Sequence, residues 1–419
     1  MKELPRVATF KQSFPRPRLE CPAETLREAI EHVSNALPPV AGKRIAVCAG
    51  SRGIANLESM VKACVESLRR LGADPFIVPA MGSHGGATAE GQVQVLAEYG
   101  ITERSTGAPI VSTLETVEIG TTPDGIPVRI DRAAWQADGI VLVNRVKPHT
   151  DFKGEVESGL LKMIAVGLGN VGGASDFHSA VQKFAHDRII RTKAEVLLAT
   201  GKVLLGLAVV ENAYHETAQI QAFPAAEMVG GEIELLVQAK KLMPSLPVEV
   251  LDLLVLDEIG KNISGAGMDP NITGRWFKGS SVWQESPDIR RIAVLGISPE
   301  SHGNGIGIGL ADFCSARFVA AFDRKTTYRN VITSQNTVTA GIPMSFATDR
   351  EVLHHAIDSL GERFDREEVR MVRIKNTLEL ATIEVSESVL RDLAGDPSEL
   401  REIGFETNGN LQPISGEWE

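Results

Sequence analysis

The sequence is short of several things. Aromatic side chains make up only 5% of its 419 residues, and cations do not dominate: 43 Lys and Arg stand against 54 Asp and Glu, a formal net charge of −11. Without a basic surplus to follow phosphates or aromatic platforms on which bases stack, nucleic acid is not an expected partner. The cysteines Cys21, Cys48, Cys64 and Cys314 include no C-x-x-C pair, so neither a disulfide framework nor a thiolate zinc site is signalled, and the compartment reads as reducing. No uncharged apolar run is long enough to span a bilayer, and Met1-Lys2-Glu3-Leu4-Pro5 is no signal core. No membrane partner is expected, and the expected location is cytoplasmic.

What is present is an ordinary globular balance, 43% hydrophobic and 23% charged, in a chain long enough for two to three domains. Glycine is the exception. Its 39 occurrences exceed the usual share of roughly 7%, and many fall in a few short loops, where they leave clearance.

Apolar runs at 44–49, 75–78 and 139–144 read as strands buried on both faces, and Leu57, Met60, Val61, Cys64 and Leu68 recur at helical spacing between the first two. Strand, loop and helix in alternation predict a parallel α/β sheet with its site at the carboxyl ends of the strands. Pro244 and Pro247 punctuate the chain before a second α/β pattern, with strands at 251–256 and 292–296. The expected fold is therefore two α/β domains, residues 1–245 and 246–419, with mostly parallel sheets and an active-site cleft between them.

Chemistry concentrates in the loops after these strands. Arg52 sits on the turn after the first, where its guanidinium and a helix N-terminus both favour an anion, or where it is simply a surface Arg on a tight turn. His84 follows the second, in Gly82-Ser83-His84-Gly85-Gly86, and His149 follows the third, in Lys147-Pro148-His149. An imidazole in such a loop suits general acid–base work, although each alone is equally a solvated loop histidine. Lys162 is the lone cation in the apolar stretch 156–169; its amine is either desolvated and nucleophilic, or the head of a stem lying along apolar surface. His178, in Asp176-Phe177-His178, follows sixteen residues later as either a metal ligand that Asp176 would orient or a helix cap. In the second half, Lys261 is a further cation for a carboxylate, and the glycine-rich run 303–309 brings backbone amides close to a ligand or simply connects elements.

The ordered set Ser51-Arg52, Gly82-Ser83-His84, Pro148-His149, Ser158-Gly159-Leu160-Leu161-Lys162, Asp176-Phe177-His178 and Glu258-Ile259-Gly260-Lys261 resembles the lactate racemase family, whose members use a nickel-pincer nucleotide. The interval from Lys162 to His178 carries most of the likeness. The resemblance implies that Lys162 bonds covalently to the cofactor, that His178 ligates nickel, and that Arg52 and Lys261 hold a substrate carboxylate. His84 and His149 would flank the substrate as alternate acid and base. A 2-hydroxy acid would then invert through a transient 2-keto acid by hydride transfer to the cofactor and back, with cofactor-synthesis proteins as partners and a homo-oligomer as a possible state. The sequence departs from the family pattern where Ala49 replaces an Asp, Gly53 a Pro and Gly85 an Arg, and where three extra residues separate His149 from Lys162.

Two other readings compete. His84, His149 and His178 would together satisfy a catalytic zinc site in a hydrolase or lyase without the pincer cofactor. A non-catalytic carboxylate-binding protein would use the same anion-friendly loops without turnover.

Overall fold

The structure is a computed structural model and describes residues 3–50, 53–277, 286–361, 365 and 367–414. Arg52 lies outside the described residues. The chain divides into two compact units, residues 15–243 and residues 1–14 together with 244–419. The opening residues thus fall with the second unit, whereas the sequence places them with the first. The reason is strand β1 (Val7–Lys11), which pairs antiparallel with a strand near the other end of the chain, Val7 opposite Ser386 and Lys11 opposite Thr382.

The unit of residues 15–243 is built on strands β2 (Arg44–Ala49), β3 (Asp74–Pro79), β6 (Gly139–Arg145), β7 (Val203–Glu211) and β8 (Thr217–Pro224), in the spatial order β3-β2-β6-β7-β8. The first four are parallel and β8 returns antiparallel beside β7. Successive side chains of a strand point to opposite faces. Ala46, Cys48, Ile140, Leu142, Ala208 and Val210 accordingly enter one apolar core, and Ile45, Val47, Val141, Val143, Leu207 and Val209 the other. Burial on both faces is why these strands read as continuous apolar runs. The helix Leu57–Arg70 lays Leu57, Met60, Val61, Cys64 and Leu68 onto the second core.

Between β3 and β6 the chain adds a hairpin, β4 (Thr116–Thr121) and β5 (Pro127–Asp131), that the sequence reading does not contain. Its turn runs through Asp124-Gly125, with Gly125 at φ 77°. Arg129 of β5 bonds Asp176 at 2.8 Å and so ties the hairpin to the helix Asn170–Ala180.

The second unit carries a seven-stranded sheet in the order β1-β14-β13-β9-β10-β11-β12, from β9 (Val250–Leu256), β10 (Asp288–Val294), β11 (Phe313–Ser315), β12 (Met344–Phe346), β13 (Met371–Ile374) and β14 (Thr382–Ser386). Strands β9 to β13 are parallel, and β14 is antiparallel to both β13 and β1. The protein is thus a mixed α/β fold with mostly parallel sheets. No helix among the described residues is long and apolar enough to cross a membrane.

Candidate active site

The site grows from the carboxyl edge of the five-stranded sheet. Beyond β6 the chain makes a loop closed at its base by paired backbone bonds, Lys147 N–H to Ser158 O at 2.9 Å and Ser158 N–H to Lys147 O at 3.2 Å. Inside it, the backbone N–H of His149 donates to Glu157 Oε2 at 2.6 Å, and Gly154 N–H to Glu157 Oε1 at 3.2 Å. Glu157 is fully buried, and Lys240 meets the same Oε1 at 2.6 Å, so the clamp on His149 is a compensated charge. The His149 ring stacks on Phe152 at 4.4 Å between centroids, and Phe152 stacks in turn on His186 at 4.4 Å.

His149 Nε2 faces Nζ of Lys162 in direct contact, and its Nδ1 accepts the backbone N–H of Asp151 at 3.0 Å. Lys162 ends the short helix Leu160–Lys162, which passes into a π-turn over Met163–Gly167 and then the helix carrying His178. Such π-turns recur at functional sites because they re-aim side chains within a helix. Burial is the main force holding the His186 imidazole below its ordinary value; the Asp151 carboxylate opposes it, and Lys162 and His178, when charged, push the same way as burial. Lys162, His178, His186 and His149 therefore share one neighbourhood.

Buried carboxyls fix the lysine from below. Glu232 accepts the N–H of Leu161 at 3.0 Å and that of Leu160, capping the helix one step before Lys162. A Cβ at Gly159 would lie 2.4 Å from Glu232 Cδ, so only glycine lets the carboxyl approach. Burial pushes the Glu232 carboxyl up to about 7. Asn144, at the end of β6, donates to Gly159 O at 2.8 Å, and Arg145 pairs with Glu211, which also holds Ala55 N–H at 2.7 Å on the turn after β2.

His84 is half-buried on the loop after β3. That loop is stitched to the lysine segment by Gly82 N–H to Gly167 O at 3.0 Å, and a Cβ at Gly167 would sit 2.6 Å from Ala80 O. Asp176 spends its carboxylate on Arg129, where the sequence suggested a partner for His178. Lys261 belongs to the other unit, in the loop after β9, where its ammonium donates to Gly265 O at 2.6 Å and Asn330 Oδ1 at 3.0 Å.

Two sequence expectations change. The glycine excess is only partly clearance: Gly53 and Gly86 face open space, but the places of a Cβ at Gly50, Gly159 and Gly167 are taken by Asn144, Glu232 and Ala80. Among the described residues no three His, Cys, Asp or Glu side chains converge closely enough to hold a metal ion, so His84, His149 and His178 do not form the zinc cage of the alternative reading. That donor set bears on a cofactor as well. Of the described residues, one imidazole, His178, and one amine, Lys162, could hold a metal delivered inside an organic carrier.

Sequence reasoning missed Phe152, Glu157, His186 and Glu232. Phe152 lies in the interval between His149 and Lys162, and its apolar ring inside a polar loop is the one signal available for it.

Residues 15–185 match the family model described as the lactate racemase N-terminal domain. In backbone the chain is similar to the lactate racemase apoprotein from Thermoanaerobacterium thermosaccharolyticum, with a TM-score of 0.55 and 14% identity over 88% of this chain and 94% of that one. It is also similar to a structural-genomics protein from Thermotoga maritima, with a TM-score of 0.50 and 14% identity over 79% and 84% of the two chains. At these identities the likeness is one of fold. No curated protein matches the sequence.

Proposed function

Because residues 15–185 match the model of the lactate racemase N-terminal domain and the fold is similar to that of a lactate racemase apoprotein, we propose that the chain is an isomerase that racemises or epimerises a small 2-hydroxy acid. The observation that carries the proposal is the juxtaposition of an amine and imidazoles at one sheet edge: Lys162 in contact with His149, with His178 on the same helical segment.

Lys162 would anchor a nickel-pincer nucleotide covalently and His178 would supply a metal ligand. When bound, that group accepts and returns the α-hydride of the substrate. The chain's own residues do the rest. Inversion at the α-carbon needs hydride return to either face of a planar 2-keto acid, with a proton taken from its oxygen and given back, and His84 and His149, on the loops after β3 and β6, are proposed to move that proton. Arg52 and Lys261 are proposed to hold the carboxylate; Lys261 would exchange its bonds to Gly265 and Asn330 for the stronger bond to an anion. The closed base of the 147–158 loop and the Phe152 stack hold the His149 ring in place. Loading requires cofactor-synthesis proteins as partners, and a cytoplasmic setting suits the reduced cysteines.

Two measurements on protein produced together with those partners test this reading. The peptide containing Lys162 should gain the mass of the cofactor, and some member of a panel of 2-hydroxy acids should lose optical rotation. Lys162→Ala should lower that activity by about 10³-fold or more, as expected when the covalent anchor is removed. An unmodified Lys162 without nickel under these conditions overturns the proposal.

A further inference from the structure

The hydrogen bonds around His149 specify where its proton sits. Nδ1 accepts the backbone N–H of Asp151. A main-chain amide can only donate, so Nδ1 presents a lone pair and the neutral ring carries its proton on Nε2. Rotating the ring by half a turn would put carbon against both nitrogens and waste both contacts. The ring is also held in place, by Glu157 on its backbone N–H at 2.6 Å and by Phe152 beneath it.

Nε2 is the atom that meets Lys162 Nζ. An N–H donor facing an ammonium would set two donors head to head. A doubly protonated ring would collide with the Asp151 amide, and an imidazolate is out of reach near neutral pH. The arrangement is satisfied when Nζ offers a lone pair.

We infer that His149, with its tautomer set by the Asp151 amide, holds Lys162 as an unprotonated amine, primed to attack an activated acyl carbon. In the reaction the Nζ lone pair first lets go of the Nε2–H and then forms the N–C bond of an amide, the bond from the acyl carbon to its thiol or alcohol leaving group breaks, and the proton released by the amine leaves with that group. No oxidant or reductant enters. In this state Nε2 has no lone pair with which to take a proton from a substrate hydroxyl. Priming and turnover are therefore successive states of one ring, and the second begins when the Asp151 amide has left Nδ1.

The biological use of the primed amine rests on the reading of Lys162 as the attachment point, but its protonation is measured on protein made without the cofactor-synthesis partners. The probe is p-nitrophenyl acetate, a simple activated acyl ester, with acetylated lysines located by peptide mass mapping. An ordinary lysine, with a pKa near 10.4, is neutral in roughly one molecule per 10³ at pH 7, and its acylation rises about tenfold per pH unit. Lys162 should react at least tenfold faster than Lys43 or Lys62 at pH 7, with a rate nearly flat from pH 6.5 to 8.5. His149→Gln should restore the tenfold-per-unit slope. Nitrogen-15 NMR of histidine-labelled protein should show His149 with a bare Nδ1 and a protonated Nε2. A Lys162 rate that climbs with pH like those of Lys43 and Lys62, or a protonated Nδ1, overturns the inference. Both wild-type readouts decide the matter even where His149→Gln fails to fold. A primed Lys162 that never takes up cofactor would remove the proposed function and leave the priming intact; cofactor uptake by a lysine of ordinary reactivity would do the reverse.

Discussion

In the unit of residues 15–243, buried ionisable groups are left partly uncompensated. The Glu232 carboxyl meets only backbone N–H groups, and burial lifts it to about 7. Lys193, fully buried on the helix His186–Leu198, donates weakly to Gly173 O at 3.4 Å, and burial brings it down to about 8. In the other unit, Arg373 grips both oxygens of Asp257 at 2.7 and 3.0 Å, bonds Glu384 at 2.7 Å and reaches Gln412 O at 2.9 Å, and Arg401 meets the remaining oxygen of Glu384 at 2.6 Å. The two sheets share an architecture. Both regions hold buried ion pairs, Lys240 with Glu157 and Arg145 with Glu211 in the first, but there Glu232 and Lys193 are also left close to the point of gaining or losing a proton. Shifted groups without a matching counter-charge gather where proton chemistry is expected, and fold alone would not reveal which sheet edge that is.

The largest test of this contrast is Arg373→Ala. Removing one partner from a buried ion network strands the rest, and a loss of about 3–5 kcal/mol of stability is expected in denaturant unfolding, with the acylation rate of Lys162 unchanged. A loss of Lys162 reactivity would break the comparison. Next comes the pH dependence conferred by Glu232. Its folded value lies above the ordinary 4.5, so the folded state binds the proton more readily than the unfolded one; stability is fully present below about 4.5 and falls as pH rises to about 7. The loss should approach about 3 kcal/mol across that window, and Glu232→Gln should flatten it in unfolding curves taken at each pH. A wild type with no slope there would mean that Glu232 is compensated after all. The smallest effect separates two glycines. Gly307, at φ 96° and with the place of a Cβ only 2.1 Å from Ala266 O, should lose about 2 kcal/mol or more as alanine. Gly53, at φ 57° and facing open space, should lose about 1 kcal/mol. Equal losses would remove the distinction between packed and open glycines.

Much of the fold was legible because β2, β6 and β9 are buried on both faces and write themselves as apolar runs. The hairpin β4–β5 was not: its side chains are mostly half-exposed, and only the Asp124-Gly125 turn betrays it. β1 was equally hidden, since five residues carry little pattern and their partners lie near the opposite end of the chain. At the site, Lys162 and the histidines stand out as polar side chains in apolar or glycine-rich loops. Glu232 does not, because its function is a contact with Leu161, 71 positions away, and on the helix Met228–Lys241 it reads as one more acid. The tautomer of His149 was beyond sequence altogether, since it depends on a backbone amide whose direction only the folded loop sets.

The pairing of Lys11 with Thr382 means that two strands of one sheet bracket residues 15–243 in sequence. During synthesis β1 emerges before that unit and waits, unpaired, until β14 is made. The nested unit has its full set of strands long before that and can close its own core early, so the lysine-bearing site forms while the sheet that encloses it in sequence is still incomplete. The surroundings of Lys162 are thus built while the chain is still growing.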